Sequence, residues 1–386
     1  MSRIIRCLIL IATMANLAAA QSLDLTYKKT GISIGDSPIV NGIRLNYRDH
    51  NLVRVNGLSA TIWKPRNDQH TKGTINGILL GLPLAGVGKV NGAAIGLGIG
   101  TNGSISGINI GLLGSGSGGS LKGISLAGLG LGAGAGINGL AISGLGMGNG
   151  GDMTGIMISG LGMGSGRDIK GIAFSGCGLG ASGDIKGLAV GGFGLGTGND
   201  FTGIGGALFG MGAGRDITGI AVAGFGLGAG RDFRGLGLSF IGFGAGRNID
   251  GIIFSGIGLG AGKRLQGIAL SGVGLGAGEE IRGIALAGVG VAAVKITGLV
   301  ASLAAASEDF KGLALTPAYF EIVRDGEFRG VAVSALNNIR GTSYGLSIGI
   351  LNIARELKGF QLGLINIAHS NPRGLKVLPV FNTDFN

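Results

Sequence analysis

The sequence predicts an all-β fold, a repeat protein built as a β-solenoid of about 22 coils with a 16-residue period. Three observations predict it: a glycine that recurs in a fixed phase, large apolar residues two apart after it, and short polar turns before it. The strict series of glycines is Gly107, Gly123, Gly139, Gly155, Gly171, Gly187, Gly203, Gly219, Gly235, Gly251, Gly267 and Gly283. Looser copies begin at Gly42, Gly57, Gly77 and Gly92 before this series, and at Gly298, Gly312, Gly330, Gly345, Gly359 and Gly374 after it.

Each repeat is predicted to form two short strands that wind around a shared core. Large apolar residues occupy repeat positions 2, 4, 7, 9 and 15, which in the copy that begins at Gly171 are Ile172, Phe174, Cys177, Leu179 and Ile185. Because alternate residues of a strand share a face, we expect these side chains to form the core. The odd step from position 4 to position 7 requires a bend, which the glycine at position 6 permits.

An up-and-down β-meander or an outer-membrane β-barrel is the alternative architecture. A meander places alternate turns at opposite ends, which predicts a 32-residue period. The turns at 167–169, 215–217 and 231–233 look alike regardless of parity, which favours the solenoid. An even number of repeats and Phe385 near the C-terminus fit a barrel, whereas strand positions that are small or apolar on both faces do not.

Residues 1–20 are predicted to be a signal peptide that directs export. Arg3 and Arg6 precede an apolar stretch, and small residues form an expected cleavage site before Gln21. The apolar stretch is shorter than the roughly 20 residues that a membrane-spanning helix needs. After cleavage the charge is +9, from +11 minus the two arginines, and Cys177 is the remaining cysteine, which we interpret as a small core residue.

Three segments are predicted after the signal peptide. Residues 21–76 form an N-terminal cap with irregular first repeats, residues 77–297 form the regular glycine-rich array, and residues 298–386 form irregular C-terminal repeats and a cap. End repeats face water on one side, so they depart from the pattern. The polar stretch 321–329 is expected to protrude as a loop.

The composition excludes several classes of protein. Glycine provides 87 of 386 residues, but the absence of Gly-X-Y triplets and the six prolines exclude collagen. Hydrophobic residues amount to 45% and recur in phase, which argues against disorder. The uncharged stretch 123–151 is read as solenoid because its glycines disfavour a helix, so no transmembrane helix is predicted.

The end repeats resemble a family of bacterial surface repeat-containing proteins, first noticed in Leptospira and also found in Bacteroidota. The matching segments are GLSIGILNIA at 345–354, GFQLGLINIA at 359–368, LPVFN at 378–382, VNGL at 55–58 and INGI at 75–78. The resemblance covers about a third of the chain. It implies export and a surface or outer-membrane location in a Gram-negative-type cell, and it supplies no catalytic or ligand residues.

Glycine-rich motifs in the array do not predict a nucleotide site. The stretch 178–183 matches a dinucleotide fingerprint, but no helical pattern follows it. Lys263 is followed by Arg264 where a phosphate-binding loop needs Ser or Thr. The three histidines, His50, His70 and His369, are isolated in the sequence. We therefore predict no catalytic, cofactor or metal residues and no enzyme activity.

The polar turns resemble, in part, the calcium-binding turns of secreted β-rolls. In those repeats an apolar anchor follows the aspartate by two residues. Here Ile217 follows Asp216 directly, and Arg215 places a cation beside the carboxylate. We therefore favour a solvated turn in which the aspartate bonds the backbone locally.

Stacked coils are expected to align these aspartates and arginines into a charge ladder on one edge. A solvated edge is one interpretation, and the other is that the net positive charge binds polyanions such as lipopolysaccharide or acidic polysaccharide. Nucleic acid is not predicted, because the basic residues lack interleaved aromatic residues. Ice binding is disfavoured because positions 3 and 5, expected to face outward, are mostly Ala, Ser and Gly and not Thr.

The sequence therefore predicts a secreted or cell-surface structural and interaction repeat protein without catalytic activity or cofactor. Envelope polysaccharide, lipopolysaccharide or a host surface is the expected partner, and self-association is expected where only Gly, Ala and Ser separate stacked sheets. The alternative function is an integral outer-membrane barrel that acts as a pore or anchor.

Overall fold

The computed structural model describes residues 22–65 and 72–384, and these consist of strands and turns without a helix. The chain divides into two compact units, Met1–Gly183 and Asp184–Asn386, called unit 1 and unit 2 below. The predicted signal peptide at 1–20, together with His70 and Phe385, lies outside the described residues.

Within its described residues, unit 1 contains these strands: β1 (Ser22–Tyr27), β2 (Thr30–Gly35), β3 (Ile39–Arg48), β4 (Arg54–Trp63), β5 (Thr74–Val87), β6 (Lys89–Thr101), β7 (Ile105–Ser117), β8 (Ser120–Ala127), β9 (Gly130–Ala133), β10 (Gly136–Ser143), β11 (Gly146–Asn149), β12 (Asp152–Ser159), β13 (Gly162–Ser165), β14 (Ile169–Ser175) and β15 (Gly178–Ala181).

Unit 2 contains the following strands: β16 (Ile185–Gly191), β17 (Gly194–Thr197), β18 (Phe201–Ala207), β19 (Gly210–Ala213), β20 (Ile217–Ala223), β21 (Gly226–Ala229), β22 (Phe233–Ser239), β23 (Gly242–Ala245), β24 (Asn248–Ser255), β25 (Gly258–Ala261), β26 (Arg264–Ser271), β27 (Gly274–Ala277), β28 (Glu280–Ala287), β29 (Gly290–Ala301), β30 (Ala304–Ile322), β31 (Glu327–Ser343), β32 (Leu346–Leu357), β33 (Phe360–Ala368) and β34 (Val377–Thr383).

Neighbouring coils pair in parallel, each residue facing the residue one repeat later. In unit 1, β10 pairs with β12 so that Gly139 faces Gly155, and β11 pairs with β13. In unit 2, β20 pairs with β22 in the same way, and β21 pairs with β23. Each regular coil thus contributes a long strand and a short strand to two separate ladders. The predicted solenoid is confirmed, and the antiparallel alternatives are wrong for these coils.

The glycine that opens each repeat is required by a close approach between coils. At Gly235, for example, φ is +131°, a region that side chains other than glycine rarely adopt. A Cβ atom on Gly235 would overlap the carbonyl oxygen of Gly219 in the preceding coil. This close contact is the physical reason why glycine recurs at position 1 of each repeat.

The core is formed by positions 3, 5, 9, 11 and 15. In the coil that begins at Gly219 the corresponding residues, Ala221, Ala223, Leu227, Ala229 and Phe233, are all buried. These positions alternate within each strand, and the corner between the two strands turns position 7 outward. The two strands of a coil face each other across a narrow interior, which holds large side chains at positions 9 and 15 and small ones elsewhere.

The prediction for positions 2, 4 and 7 is therefore wrong. Ile172 and Phe174 are exposed, and Cys177 is only partly buried, whereas Leu179 and Ile185 are buried as predicted. Positions 3 and 5, expected to face outward, face the core instead. The prediction assumed that all large side chains enter the interior, but the large residues at positions 9 and 15 already fill it.

Side-chain volumes inside the coil compensate one another. The rings of Phe233 and Phe243 pack edge to face with centroids 4.8 Å apart. Position 3 between them in the chain is Gly237, where a Cβ atom would overlap the ring of Phe243. Large residues at positions 9 and 15 thus require the smallest residue at position 3.

Both ends of the described chain depart from the parallel pattern. At the start, β1 pairs antiparallel with β2, and Gly31 joins the glycine ladder one repeat earlier than predicted. At the end, β34 pairs antiparallel with β33, so the predicted repeat at Gly374 is wrong. The protruding loop predicted at 321–329 is also wrong, because Ile322 ends β30 and Glu327 begins β31 after a tight turn.

Asparagine side chains form hydrogen-bonded ladders in both end regions. In unit 1 each amide donates to the one before it, along Asn41, Asn56, Asn76 and Asn91, at 2.7–2.9 Å. In unit 2 a fully buried ladder joins Asn337, Asn352 and Asn366, with donor–acceptor distances of 2.7 Å. In such ladders the side-chain amide of one coil bonds the side-chain amide of the next.

Candidate functional surfaces

In each unit, the charged residues of the regular array lie on one edge. From Gly107 to Gly290, every Asp, Glu, Lys and Arg occupies repeat position 13, 14 or 16. This surface is called the charged edge below. The stretch holds eleven cationic residues and nine carboxylates, so its net charge is only +2.

The aspartates of the charged edge link successive coils. In unit 2 the backbone N–H of Asp216 donates to Oδ1 of Asp200 at 3.2 Å, and that of Asp232 donates to Asp216 at 3.1 Å. In unit 1 Asp168 and Asp152 are related in the same way. The sequence predicted that each aspartate bonds the backbone of its own turn, but its carboxylate accepts a hydrogen bond from the backbone N–H of the next coil.

The arginines at position 13 of the charged edge pair with the aspartate of the preceding coil. Arg215 lies 3.0 Å from Asp200, and Arg247 lies 3.3 Å from Asp232. The Arg215–Asp200 pair is partly exposed, and exposed pairs contribute at most about 1 kcal/mol each. Their effect on partners is larger, because cations engaged by carboxylates attract polyanions less.

A different arrangement of cations occurs at the start of unit 1. Lys28 and Lys29 form the two-residue turn of the hairpin between β1 and β2, and both are exposed. Their φ angles are +48° and +68°, which matches a type I′ turn. Such turns favour Asn-Gly, so two lysines here carry a conformational cost. The ammonium group of Lys28 lies 5.5 Å from the ring centre of Tyr27.

A buried arginine organises the N-terminal cap. Arg44 is fully buried, and its guanidinium bonds Asp36 at 2.9 Å, Asp49, and the carbonyl oxygen of Ser37 at 3.1 Å. A buried cation needs this complete set of partners. His50, which looked isolated in the sequence, lies with Nδ1 3.6 Å from the same Asp36.

This cluster borders a cavity of about 890 Å³ that Tyr47, Arg48 and His50 line together with apolar residues. The sequence offered only one signal for it, an arginine at a position where the neighbouring strands carry small or apolar residues. Nearby, hydrogen bonds from Ser33 and then Ser37 lower the pKa of Asp24. The cluster places charged groups at the N-terminal cap, and its hydrogen bonds hold the segment 36–50 in place.

Large apolar side chains form exposed rows on the other surfaces of the coil. Positions 2 and 4 face outward on the long strand, and position 7 lies at the corner after it. In unit 2 the corner row includes Phe209 and Phe225, whose rings stack with centroids 5.0 Å apart while each stays about half exposed. Sequence reasoning placed these side chains in the core and so missed this surface.

Two adjoining apolar grooves follow these rows in unit 2. The first has a volume of about 700 Å³ and the second about 800 Å³, and both are lined by Ala287 and Ala301. The floor of the first groove includes Gly256 and Gly272. A Cβ atom on Gly272 would overlap a carbonyl oxygen of the preceding coil, and glycine leaves the floor bare at this point.

The short strand presents a surface without side chains. Its outward positions 8 and 10 are glycine in most coils of the array. A Cβ atom on Gly226 or Gly228 would meet no atom within 4 Å, so the packing of the coil does not require glycine there. These glycines differ in this respect from those that open the repeat.

The remaining sequence motifs form parts of strands and turns. The fingerprint-like stretch 178–183 is strand β15 and the bend after it. Arg264 begins β26 and pairs with Glu280 at 3.5 Å. His369 lies in a turn as predicted, with its N–H bonded to the carbonyl oxygen of Ala354 at 3.0 Å.

Comparisons with known proteins found no matching family model, no matching curated protein and no matching solved structure. Within 22–65 and 72–384, no helix is long and apolar enough to span a bilayer. Within the same residues, no three His, Cys, Asp or Glu side chains cluster as metal ligands would.

Proposed function

We propose that this chain is an exported structural and interaction protein of the surface or outer membrane of a Gram-negative-type bacterium, and that it acts by binding without catalysis. One observation carries the proposal: charged and apolar residues occupy separate rows that recur through most coils of the array. A row of like side chains suits an extended contact, whereas catalysis needs unlike groups that converge.

The resemblance of the end repeats to bacterial surface proteins supports the location. The test is fractionation of the native host, with N-terminal sequencing of the mature protein and trypsin treatment of intact cells. We expect a mature chain that begins at Gln21, sits in the envelope fraction and is cut by trypsin along the charged edge. Retention of residues 1–20 in a cytoplasmic fraction would overturn the proposal.

The partner that we propose is an envelope or host polyanion, such as lipopolysaccharide or an acidic polysaccharide, bound first at the Lys28–Lys29 turn. The charged edge of the array supports this less well, because its cations pair with carboxylates. The turn supports it better, since both lysines are exposed and occupy positions that favour Asn-Gly on conformational grounds.

This turn allows binding and stability to be separated. The double variant Lys28→Asn, Lys29→Gly should make the hairpin at least as stable, while affinity for heparin or lipopolysaccharide at low salt falls several-fold. A charge-matched control replaces Lys263 and Arg264 by glutamine, which removes two cations that are already paired with Glu279 and Glu280. Equal losses in the two variants would show a diffuse charge effect and contradict the assignment to the turn.

A further inference from the structure

Unit 2 carries an exposed apolar surface that nothing in the described chain covers. Its large side chains occupy positions 2, 4, 6 and 7 of successive coils, and each is more than a third exposed: Phe193, Ile204, Leu208, Phe209, Ile220, Val222, Phe225, Leu238, Phe240, Ile241, Ile252, Phe254, Ile257, Ile268, Val273, Ile284 and Val289. These seventeen residues are called the apolar surface below. No charged residue occupies positions 1–12 of these coils.

The area of the apolar surface is large for a monomer. At about 200 Å² for a whole large side chain, the exposed fractions amount to on the order of 1,500 Å². The largest apolar patch of an ordinary soluble monomer is about 300–600 Å². A stable interface needs about 800 Å² from each partner, so this surface is sufficient for one.

The apolar surface contains a groove and, beside it, the protruding side chain of Phe240. Phe240 is 80% exposed, the highest value among the large apolar residues that the structure describes. It occupies position 6, where the adjacent coils have Gly224 and Gly256. It stands toward one end of the first groove, whose floor continues over Gly256 and Gly272. Leu270 lines the same stretch of the groove.

The groove offers no free hydrogen-bonding group from its serines. The hydroxyl of Ser239 donates to the carbonyl oxygen of Gly242 at 2.7 Å, and that of Ser255 donates to Gly258 at 2.7 Å. Ser271 donates to Ile257 at 2.8 Å. An occupant that needs polar partners, such as a sugar or an added strand, therefore gains little here, and an apolar side chain gains most.

We propose that the apolar surface is the docking site of a second copy of this chain. Two copies related by a two-fold axis would run antiparallel, with Phe240 of each in the groove of the other, beside Leu270. The area of the apolar surface is sufficient for such a dimer. In addition, only a partner with the same spacing between coils can match the rows of side chains along the whole groove. The inference deepens the proposed function, but oligomeric state in solution does not depend on where the protein is located.

The test measures mass by light scattering and sedimentation on the full-length protein in lipid-free buffer. The native protein should be a dimer at micromolar concentration. Phe240→Glu and Leu270→Lys should each weaken dimerisation at least tenfold, because each places a charge in an apolar contact. Mixing the two variants should restore a heterodimer, since one native Phe240–Leu270 contact and one Glu–Lys pair then form.

The control is Val294→Ser, which removes an exposed apolar side chain from the corner beside the charged edge and should leave the dimer unchanged. Circular dichroism verifies that each variant folds, and if one variant does not fold, Phe240→Ser replaces it. If the native protein remains a monomer at 100-fold higher concentration, the proposal is overturned. A dimer that both charge variants leave intact would also overturn it, as would a monomer that floats with vesicles of neutral phospholipid.

Discussion

The glycine-rich coils of unit 2 and the C-terminal coils of the same unit are held together by different means. From Gly187 to Gly290, successive coils approach through glycine, and the interior holds mostly Ala, Leu and Ile with a few Phe. From Gly298 onward, the rings of Phe310, Phe320 and Phe328 pack against one another, with centroids 5.1–5.9 Å apart. A buried asparagine ladder replaces the small residues there.

The difference teaches that a solenoid does not require saturation with glycine. The C-terminal strands are longer, up to 19 residues in β30, and they pair in parallel just as the regular coils do. Among the regular coils, a Cβ atom on the glycines at positions 1, 6 and 12 would overlap the preceding coil, whereas positions 8 and 10 leave room for one. Position 1 is glycine in every regular coil, but Phe240 and Val294 show that positions 6 and 12 accept other residues in single coils. The high glycine content of the array therefore has two causes. Some glycines allow the coils to approach each other, and those at positions 8 and 10 keep the outward surface of the short strand free of side chains.

The largest expected effect separates these two kinds of glycine. Gly235→Ala should lower the free energy of unfolding by about 3–5 kcal/mol, because the residue has positive φ and its Cβ would overlap the backbone of the preceding coil. Gly226→Ala is the matched control, and it should change stability by less than about 1 kcal/mol. Urea denaturation measures both. Similar losses would mean that the distinction between the two positions is wrong.

The next effect concerns the C-terminal coils. Asn352→Ala should cost about 2–3 kcal/mol, because Asn337 loses its acceptor and Asn366 its donor inside the core. Asn76→Ala in the partly buried ladder of unit 1 should cost less, since water can replace the lost partner. Thermal unfolding of the two variants compares them, and a larger loss at Asn76 would contradict the role given to burial.

A smaller effect tests volume compensation inside a coil. Gly237→Ala should cost about 1–3 kcal/mol, because its methyl group would overlap the ring of Phe243. Adding Phe243→Leu, the residue found at this position in neighbouring coils, should recover part of the loss. A double-mutant cycle in urea measures the coupling, and strict additivity would show that the two side chains do not compete for space.

The smallest effect is expected on the charged edge. Arg215→Gln removes a half-exposed pair with Asp200 and should change stability by about 0.5 kcal/mol or less, declining as salt screens the pair. Unfolding at low and high salt is the measurement. A loss above about 2 kcal/mol, insensitive to salt, would mean that the ladder holds the coils together more than the backbone does.

The architecture could be predicted from the sequence because its strongest signal is a backbone requirement. The opening glycines mark the places where coils touch, and no other residue satisfies that geometry. The burial of Leu179 and Ile185 also followed from strand alternation. The rest did not: hydrophobicity placed Ile172 and Phe174 inside, since nothing in the sequence states how wide the interior is.

The candidate surfaces were harder to predict for the same reason. The charged edge was visible as a periodic pattern of turns, but the partner of each carboxylate depends on the distance between coils. The apolar surface was hidden by the assumption that large side chains are buried. The Arg44 cluster was missed because Asp36 and Asp49 flank it in the chain at no recognisable spacing.

The parallel register of the coils has a consequence for how such a gene can change. Because each regular coil contacts only the one before it and the one after it, loss or duplication of 16 residues leaves every row aligned. Insertion or deletion of whole repeats can therefore lengthen or shorten the protein in steps of 16 codons. Alleles of different length then differ in reach and valency while the ends stay the same.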